Sequence, residues 1–336
     1  MSPERPPATP RRVAVVAVVA ALLAFLALGF ALVFGATSVD PWAVLTGAAD
    51  AVDRAKVFDL RLPRALMASV TGAALAVAGL VFQALVRNPL ASPYVLGVSS
   101  GGSLGAVLAL AAGATYVGPA AFAGAACAVM LVYAAARRNG RFPASSLLLA
   151  GVILNAFFGA GVTFVNVVAA PRDQERILRW IAGGLRDLYG TDEIVRAGVP
   201  VLLAIGLVFL TSRELNVLAL SDDAAERAGV AVRAVRRRLF LSASLLTAVA
   251  VTAAGPIGFV GLVVPHFARL RLGPDHRLLV PAATFGGAAF LATVDAVAQG
   301  VWRTPLPAGV LTALLGGPLF LYLLRRGDRA RAGLDF

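Results

Sequence analysis

A single cysteine, a single lysine and two histidines are all that 336 residues supply, and each scarcity closes a class of function. Cys127 lies inside an apolar run with no second cysteine to pair with, so no disulfide framework forms within one chain and the residue reads as a small core hydrophobe. A Gly-x-x-x-x-Gly-Lys-Ser/Thr phosphate loop needs a lysine; Lys56 is the only one and lies in the first outer loop outside any such pattern, so ATP and its Mg are expected on another chain. His266 and His276 flank one inner connection without a cluster of metal ligands, so no metal or other cofactor is expected on this chain. Charge is scarce too, at 14% against about a quarter in ordinary soluble domains. Hydrophobic residues reach 59% and mean hydropathy +0.82, the composition of a membrane protein. The net charge of +12 would raise nucleic acid as a partner for a soluble chain; here membrane topology accounts for it, and no nucleic acid is expected.

Apolar runs long enough for about 30 Å of hydrocarbon can be read at 13–34, 65–85, 94–112, 118–136, 146–169, 193–211, 239–256, 258–270, 280–300 and 308–324. The expected fold is an all-α polytopic membrane protein with about ten transmembrane helices: tail 1–12, permease domain 13–325, tail 326–336. The run at 258–270 is short and broken by Gly258, Gly261 and Pro265, which a membrane tolerates only where neighbouring helices satisfy the freed backbone groups. With the N-terminus inside, 20 of the 30 basic residues fall in cytoplasmic segments, so both termini are expected in the cytoplasm. The first run is longer than a signal-peptide apolar region and reads as an uncleaved span.

Two connections exceed simple turns. The outer one, 170–192, holds Pro171-Arg172-Asp173-Gln174-Glu175 and then Trp180-Ile181-Ala182-Gly183-Gly184, enough for a short helix at the mouth of a pathway. The inner one, 212–238, holds Ser221-Asp222-Asp223-Ala224, an N-cap with acids in the first turn, and Gly229 as a C-cap. A stubby amphipathic helix carrying Leu218 and Leu220 beside charges suits either a solvated connector or a docking surface for a soluble partner.

The ordered pieces are more specific than any one of them: Arg61-Leu62-Pro63-Arg64; Gly72 to Ala76 with Gly79 and Gln83; Arg87-Asn88-Pro89-Leu90-Ala91; Leu96-Gly97-Val98-Ser99; Leu148 to Gly151; Trp180 with Gly183-Gly184; Leu218-Ala219-Leu220 with Ala225 and Gly229; Gly255 to His266; Gly273 to Arg277; Asp295; and Pro307 to Phe320. In that order and spacing the chain resembles, over nearly its whole length, the permease subunits of iron-chelate and cobalamin ABC importers, the type II importer family. The resemblance implies a multi-pass protein of a prokaryotic cell membrane, working as a homodimer or paralogous heterodimer with two cytoplasmic ATPase subunits and an extracytoplasmic binding protein. It implies ATPase coupling through Leu218, Leu220, Ser221, Asp222, Asp223, Ala225 and Gly229, and binding-protein docking through Arg61 and Arg64. The family's third docking arginine is replaced by Gln299, with Arg303 one turn on, and its Glu-Leu-Pro is altered to Pro305-Leu306-Pro307. The cargo it implies is a preassembled metal chelate, a ferric siderophore ahead of haem or cobalamin.

Polar residues within the runs carry their own readings. Asn155 and Asn166 are eleven apart, about three turns and nearly one helix face; with Thr163, and with Trp180 and Gly183 outside, they are candidates to line the pathway. Asp295 is costly in lipid and is expected to face protein or water, in a hydrogen-bonded structural role or in transport. Gly97-Val98-Ser99-Ser100-Gly101 matches the Gly-x-Ser-x-Gly of serine hydrolases, so an intramembrane protease is a rival reading, although Gly97, Gly101 and Gly105 equally give small-xxx-small packing. A secondary transporter using Asp295 as proton site is the second rival.

Overall fold

The computed structural model describes residues 8–35, 37, 39–94, 96–136, 144–302 and 304–319, and among them the regular structure is helical, without strands. The helices are α1 (Pro10–Val33), α2 (Pro41–Thr46), α3 (Ala51–Ala55), a π-helical turn (Lys56–Arg61) running into α4 (Leu62–Val86), α5 (Val98–Ala111), α6 (Gly118–Ala136), α7 (Ala144–Val168), α8 (Pro171–Ile181), α9 (Thr191–Leu210), α10 (Ser212–Leu220), α11 (Asp222–Arg227), α12 (Val232–Ala254), α13 (Val260–Leu272), α14 (His276–Gly300) and α15 (Ala308–Leu319). Seven stretches of helix among the described residues are long and apolar enough to cross a membrane. The run expected at 94–112 appears as the shorter α5, that at 258–270 as α13, equally 13 residues long but shifted by two, and the described part of that at 308–324 as α15. At 13 residues α13 is about 20 Å long against some 30 Å of hydrocarbon. The late starts of α5 and α13 have a local cause: the residue before each helix, Gly97 and Phe259, adopts the left-handed region, φ 75° and 66°. Residues 320–324 of the last run lie outside the described residues.

Helix α4 is apolar all round and therefore central; 83% of its most apolar window is buried, whereas none of that of α1, a peripheral helix on α14, is. Backbones meet where glycine permits it. A Cβ on Gly79 would stand 2.0 Å from the Gly261 carbonyl oxygen, so α4 and α13 are in backbone contact there. One turn further along α4, buried Gln83 donates its amide to that same carbonyl at 3.0 Å. Pro265, four residues after Gly261, has no N–H to offer it. Gln83 thus replaces the hydrogen bond that Pro265 removes, and its Oε1 accepts from Arg269 at 3.1 Å.

The glycine triplet of the third run divides its labour. A Cβ on Gly101 or Gly105 would meet Ala128 Cβ at 2.4 Å or the Ala120 carbonyl at 2.1 Å, so both glycines seat α5 on α6. Gly97 does not join them: it caps α5 in a left-handed conformation, φ 75°. Ser99 beside it is buried, 1% exposed, within this packing.

Candidate functional sites at the two faces

At the end of the bundle expected to be the inner one, the 212–238 connection contains two helices rather than one, with Ser221 in extended backbone between α10 and α11. Ser221 Oγ accepts from the Ala224 amide at 2.9 Å, and the Gly229 and Val230 amides return to the Glu226 and Ala225 carbonyls at 3.0 and 2.9 Å, closing both ends of α11. Leu218 and Ala225 are fully buried and anchor this ledge; Leu220, 75% exposed, projects from it, and Asp223 and Gly229 are exposed.

Three spans hold the ledge. Asp222 receives Arg236 of α12 at 2.6 and 3.1 Å and also Arg87 at the end of α4. Arg87 adopts the left-handed region, φ 55°, unusual for a residue with a side chain. Its guanidinium also donates to the Leu218 carbonyl, at 3.2 and 3.1 Å, satisfying the end of α10. Asn216 of α10 donates to Asp275 at 2.9 Å and accepts from the His276 amide at 2.8 Å, with the His276 ring Nδ1 at 2.7 Å from the same oxygen. Asn216 thereby fixes the imidazole proton on Nδ1 and ties α10 to the start of α14. Asp275 caps α14; burial pushes its carboxyl up, but the hydrogen bonds from Arg277 and Asn216 outweigh that and hold it at about 2. A cleft of about 540 Å³ lies between ledge and spans, lined by Gln83, Arg87, Asn216, Leu220, Arg269 and Asp275 among others. Ser221, Asp222 and Leu220 are candidates from the sequence; Arg87 and His276 lie in motifs named there without this role, and Arg236 and Asn216 are missed, since nothing local marks one arginine of a basic run as the partner of Asp222.

At the end expected to be the outer one, Arg61 and Arg64 share no single target. Arg61 donates to the carbonyls of Leu32 and Val33, both at 2.8 Å, and of Thr37, capping the end of α1. Arg64 grips Asp295 of α14 through two bonds of 2.7 and 3.0 Å and turns its third nitrogen to Asp187 at 2.9 Å and the Arg186 carbonyl at 3.2 Å. The side chains of Arg64 and Asp295 are 12% and 5% exposed, so removing one partner costs about 3–5 kcal/mol. Asp187 is 94% exposed, and its pairing falls in the class worth about 0–1 kcal/mol. A cavity of about 390 Å³ lies between these groups and includes Gln299 and Lys56 in its lining. Arg303 lies outside the described residues.

Between α8 and α9 the chain forms an outer strap, 182–190. The Gly184 amide donates to the Ala254 carbonyl at 2.8 Å, the Gly309 amide to the Gly183 carbonyl at 2.8 Å, and Tyr189 Oη to the Ala253 carbonyl at 2.8 Å while accepting from the Arg186 amide. The strap thus joins the outer ends of α8, α12 and α15. Gly183 is buried, at φ 68°, and a Cβ there would stand 1.9 Å from the Pro256 carbonyl oxygen, so this position admits no side chain. Trp180 is half-buried against a cluster of Val107, Leu110, Val165 and Ile177. On α7, Asn155 and Asn166 are half-buried and Thr163 is exposed, its hydroxyl donating to the Gly159 carbonyl at 3.1 Å; the same helix exposes Val152, Phe157, Phe164 and Val167.

An apolar helical bundle carrying a braced polar ledge on one face and an ion-paired strap on the other is the architecture of a multi-pass membrane permease. The chain belongs to the FecCD transport family, which matches residues 19–326. It is 44% identical over 270 residues to the cobalamin import system permease protein BtuC of Halobacterium salinarum, covering 79% of this chain and 72% of that one. It is 40% identical over 286 residues to the hemin transport system permease protein HmuU of Yersinia pestis, covering 82% and 84%. Among solved structures, an inward-facing conformation of a metal-chelate type ABC transporter superposes with a TM-score of 0.85 at 29% identity, covering 93% of this chain and 99% of that one.

Proposed function

We propose that this chain is the membrane-spanning subunit of an ATP-driven importer, working as a homodimer or paralogous heterodimer of ten-span subunits with two cytoplasmic ATPases and an extracytoplasmic binding protein. The observation that carries the reading is the ledge: α10 and α11 bury Leu218 and Ala225 in the core and are fastened to α4, α12 and α14 through Arg87, Arg236 and Asn216, so a push on exposed Leu220 reaches three spans. A bistable packing of those spans, biased by ATPase closure, moves cargo. Asn155, Thr163 and Asn166 line the path on α7, with Trp180 and Gly183 near its outer mouth; Arg64, with Arg61 and Arg303, receives the binding protein. The cargo is a metal chelate, a ferric siderophore in the first reading. Cobalamin is the second, favoured by the 44% identity to the halobacterial permease.

Leu220→Asp tests the lever. Leu220 is exposed, so the change leaves the fold intact, whereas Ala225→Asp would bury a charge. The assembled complex should lose cargo-stimulated ATP hydrolysis while its subunits stay associated with the membrane and folded; unchanged stimulation would remove the ledge from the mechanism. Fluorescence quenching of the companion binding protein by ferric siderophores, cobalamin and haem separates the cargo readings.

A further inference from the structure

Arg64 holds two carboxylates of its own chain in very different environments. Asp295 is sealed with it between α4 and α14 and takes two of its nitrogens; Asp187 lies almost wholly in water and takes the third. Desolvation makes the first pair hard to break, and solvent and salt make the second easy to exchange. Asp187 sits in the strap whose neighbouring amides and tyrosine hold the outer ends of α12 and α15. An outside carboxylate that reaches Arg64 meets Asp187 as its competitor, and displacing it frees the strap at one of its fastenings. We infer that Asp187 is a built-in placeholder for a partner carboxylate: it occupies the outward nitrogen of Arg64 until the binding protein docks, and its release loosens strap 182–190 over the outer ends of α8, α12 and α15.

This inference rests on the docking reading above, and two measurements keep the two separable. In the assembled transporter, Asp187→Asn should tighten association with the binding protein about two- to fivefold, the range of an exposed ion pair. In an Arg64→Lys background, where a single ammonium replaces the fork that reaches both acids, the same change should have no effect. Tightening of equal size in both backgrounds would mean a general surface-charge effect and would overturn the placeholder. So would no tightening in either. Independently of any partner, hydrogen exchange at the Gly184 and Arg186 amides should quicken in Asp187→Asn, and binding-protein addition should quicken it in the unaltered protein. Quickened exchange in the variant, with no association of the unaltered protein, would sink the docking reading while leaving the latch. Unchanged exchange in the variant would overturn the latch even where docking occurs.

Discussion

Replacing Gln83 with leucine should destabilise the bundle by an amount that a second substitution returns. Leucine keeps the volume but leaves the Gly261 carbonyl, which Pro265 cannot serve, buried and without its donor. An unsatisfied buried backbone group costs about 1–3 kcal/mol. Loss of the acceptor for Arg269 adds to this, giving about 2–4 kcal/mol together. Pro265→Ala gives residue 265 an N–H that can reach the Gly261 carbonyl, so in that background Gln83→Leu should cost about 1–3 kcal/mol less. Gln83→Glu completes the set, because it still accepts from Arg269 but cannot donate to the carbonyl. Denaturant or thermal inactivation of the purified membrane protein, read by loss of monodisperse folded subunit, yields the double-mutant cycle. Strict additivity of Gln83→Leu and Pro265→Ala, or a neutral Gln83→Leu, would refute the argument that the side chain replaces the helix hydrogen bond.

Three further outcomes follow from the same geometry. Asp295→Ala strands Arg64 in a site 12% exposed and should cost about 3–5 kcal/mol in the same assay, whereas Asp187→Ala should cost no more than about 1; equal effects would contradict the burial argument. Asp222→Asn should uncouple ATP hydrolysis from cargo at neutral pH by weakening the grip of Arg236 and Arg87, and normal coupling in this variant would dismiss the tether. Burial raises the Asp222 carboxyl, while hydrogen bonds and charge from Arg236 and Arg87 outweigh it and hold it below its ordinary value. The tether is therefore complete above the unfolded value of about 4 and is lost only as pH falls through the lower folded one. Acidification to about pH 5.5 should leave the Asp222 tether intact, so tether loss in the unaltered protein at that pH, read by cross-linking of α11 to α12, would contradict the assignment.

How much of this could be read from the sequence depended on the range of the interaction. Helices stood out wherever apolar runs were long, and the caps of α11 followed from Ser221 and Gly229 because capping is a contact over three or four residues. The weakness of 258–270 was visible in its glycines and proline; that Gln83 repairs it was not, because the partners are 178 residues apart. Arg61 and Arg64 stand three apart in one motif, where the resemblance gives them one shared role. Arg61 instead closes a π-helical turn and caps α1, while Arg64 reaches Asp295, 231 residues away. Asp295 was expected to face protein or water, and it faces Arg64; the cost of charge in lipid made that expectation sound without naming the partner. Of the two helices of the ledge, α11 is legible from its caps; α10 is not, because the Leu218 carbonyl near its end is satisfied by Arg87, 131 residues away, rather than by a local cap.

Uptake into proteoliposomes containing this permease with its ATPase and binding protein is the most direct measurement. Labelled chelate should accumulate only when ATP is supplied on the ATPase side and the binding protein on the other, it should be indifferent to an imposed proton gradient, and Leu220→Asp should abolish it. Accumulation that follows the proton gradient and persists without the ATPase would make the chain a secondary transporter and contradict the account.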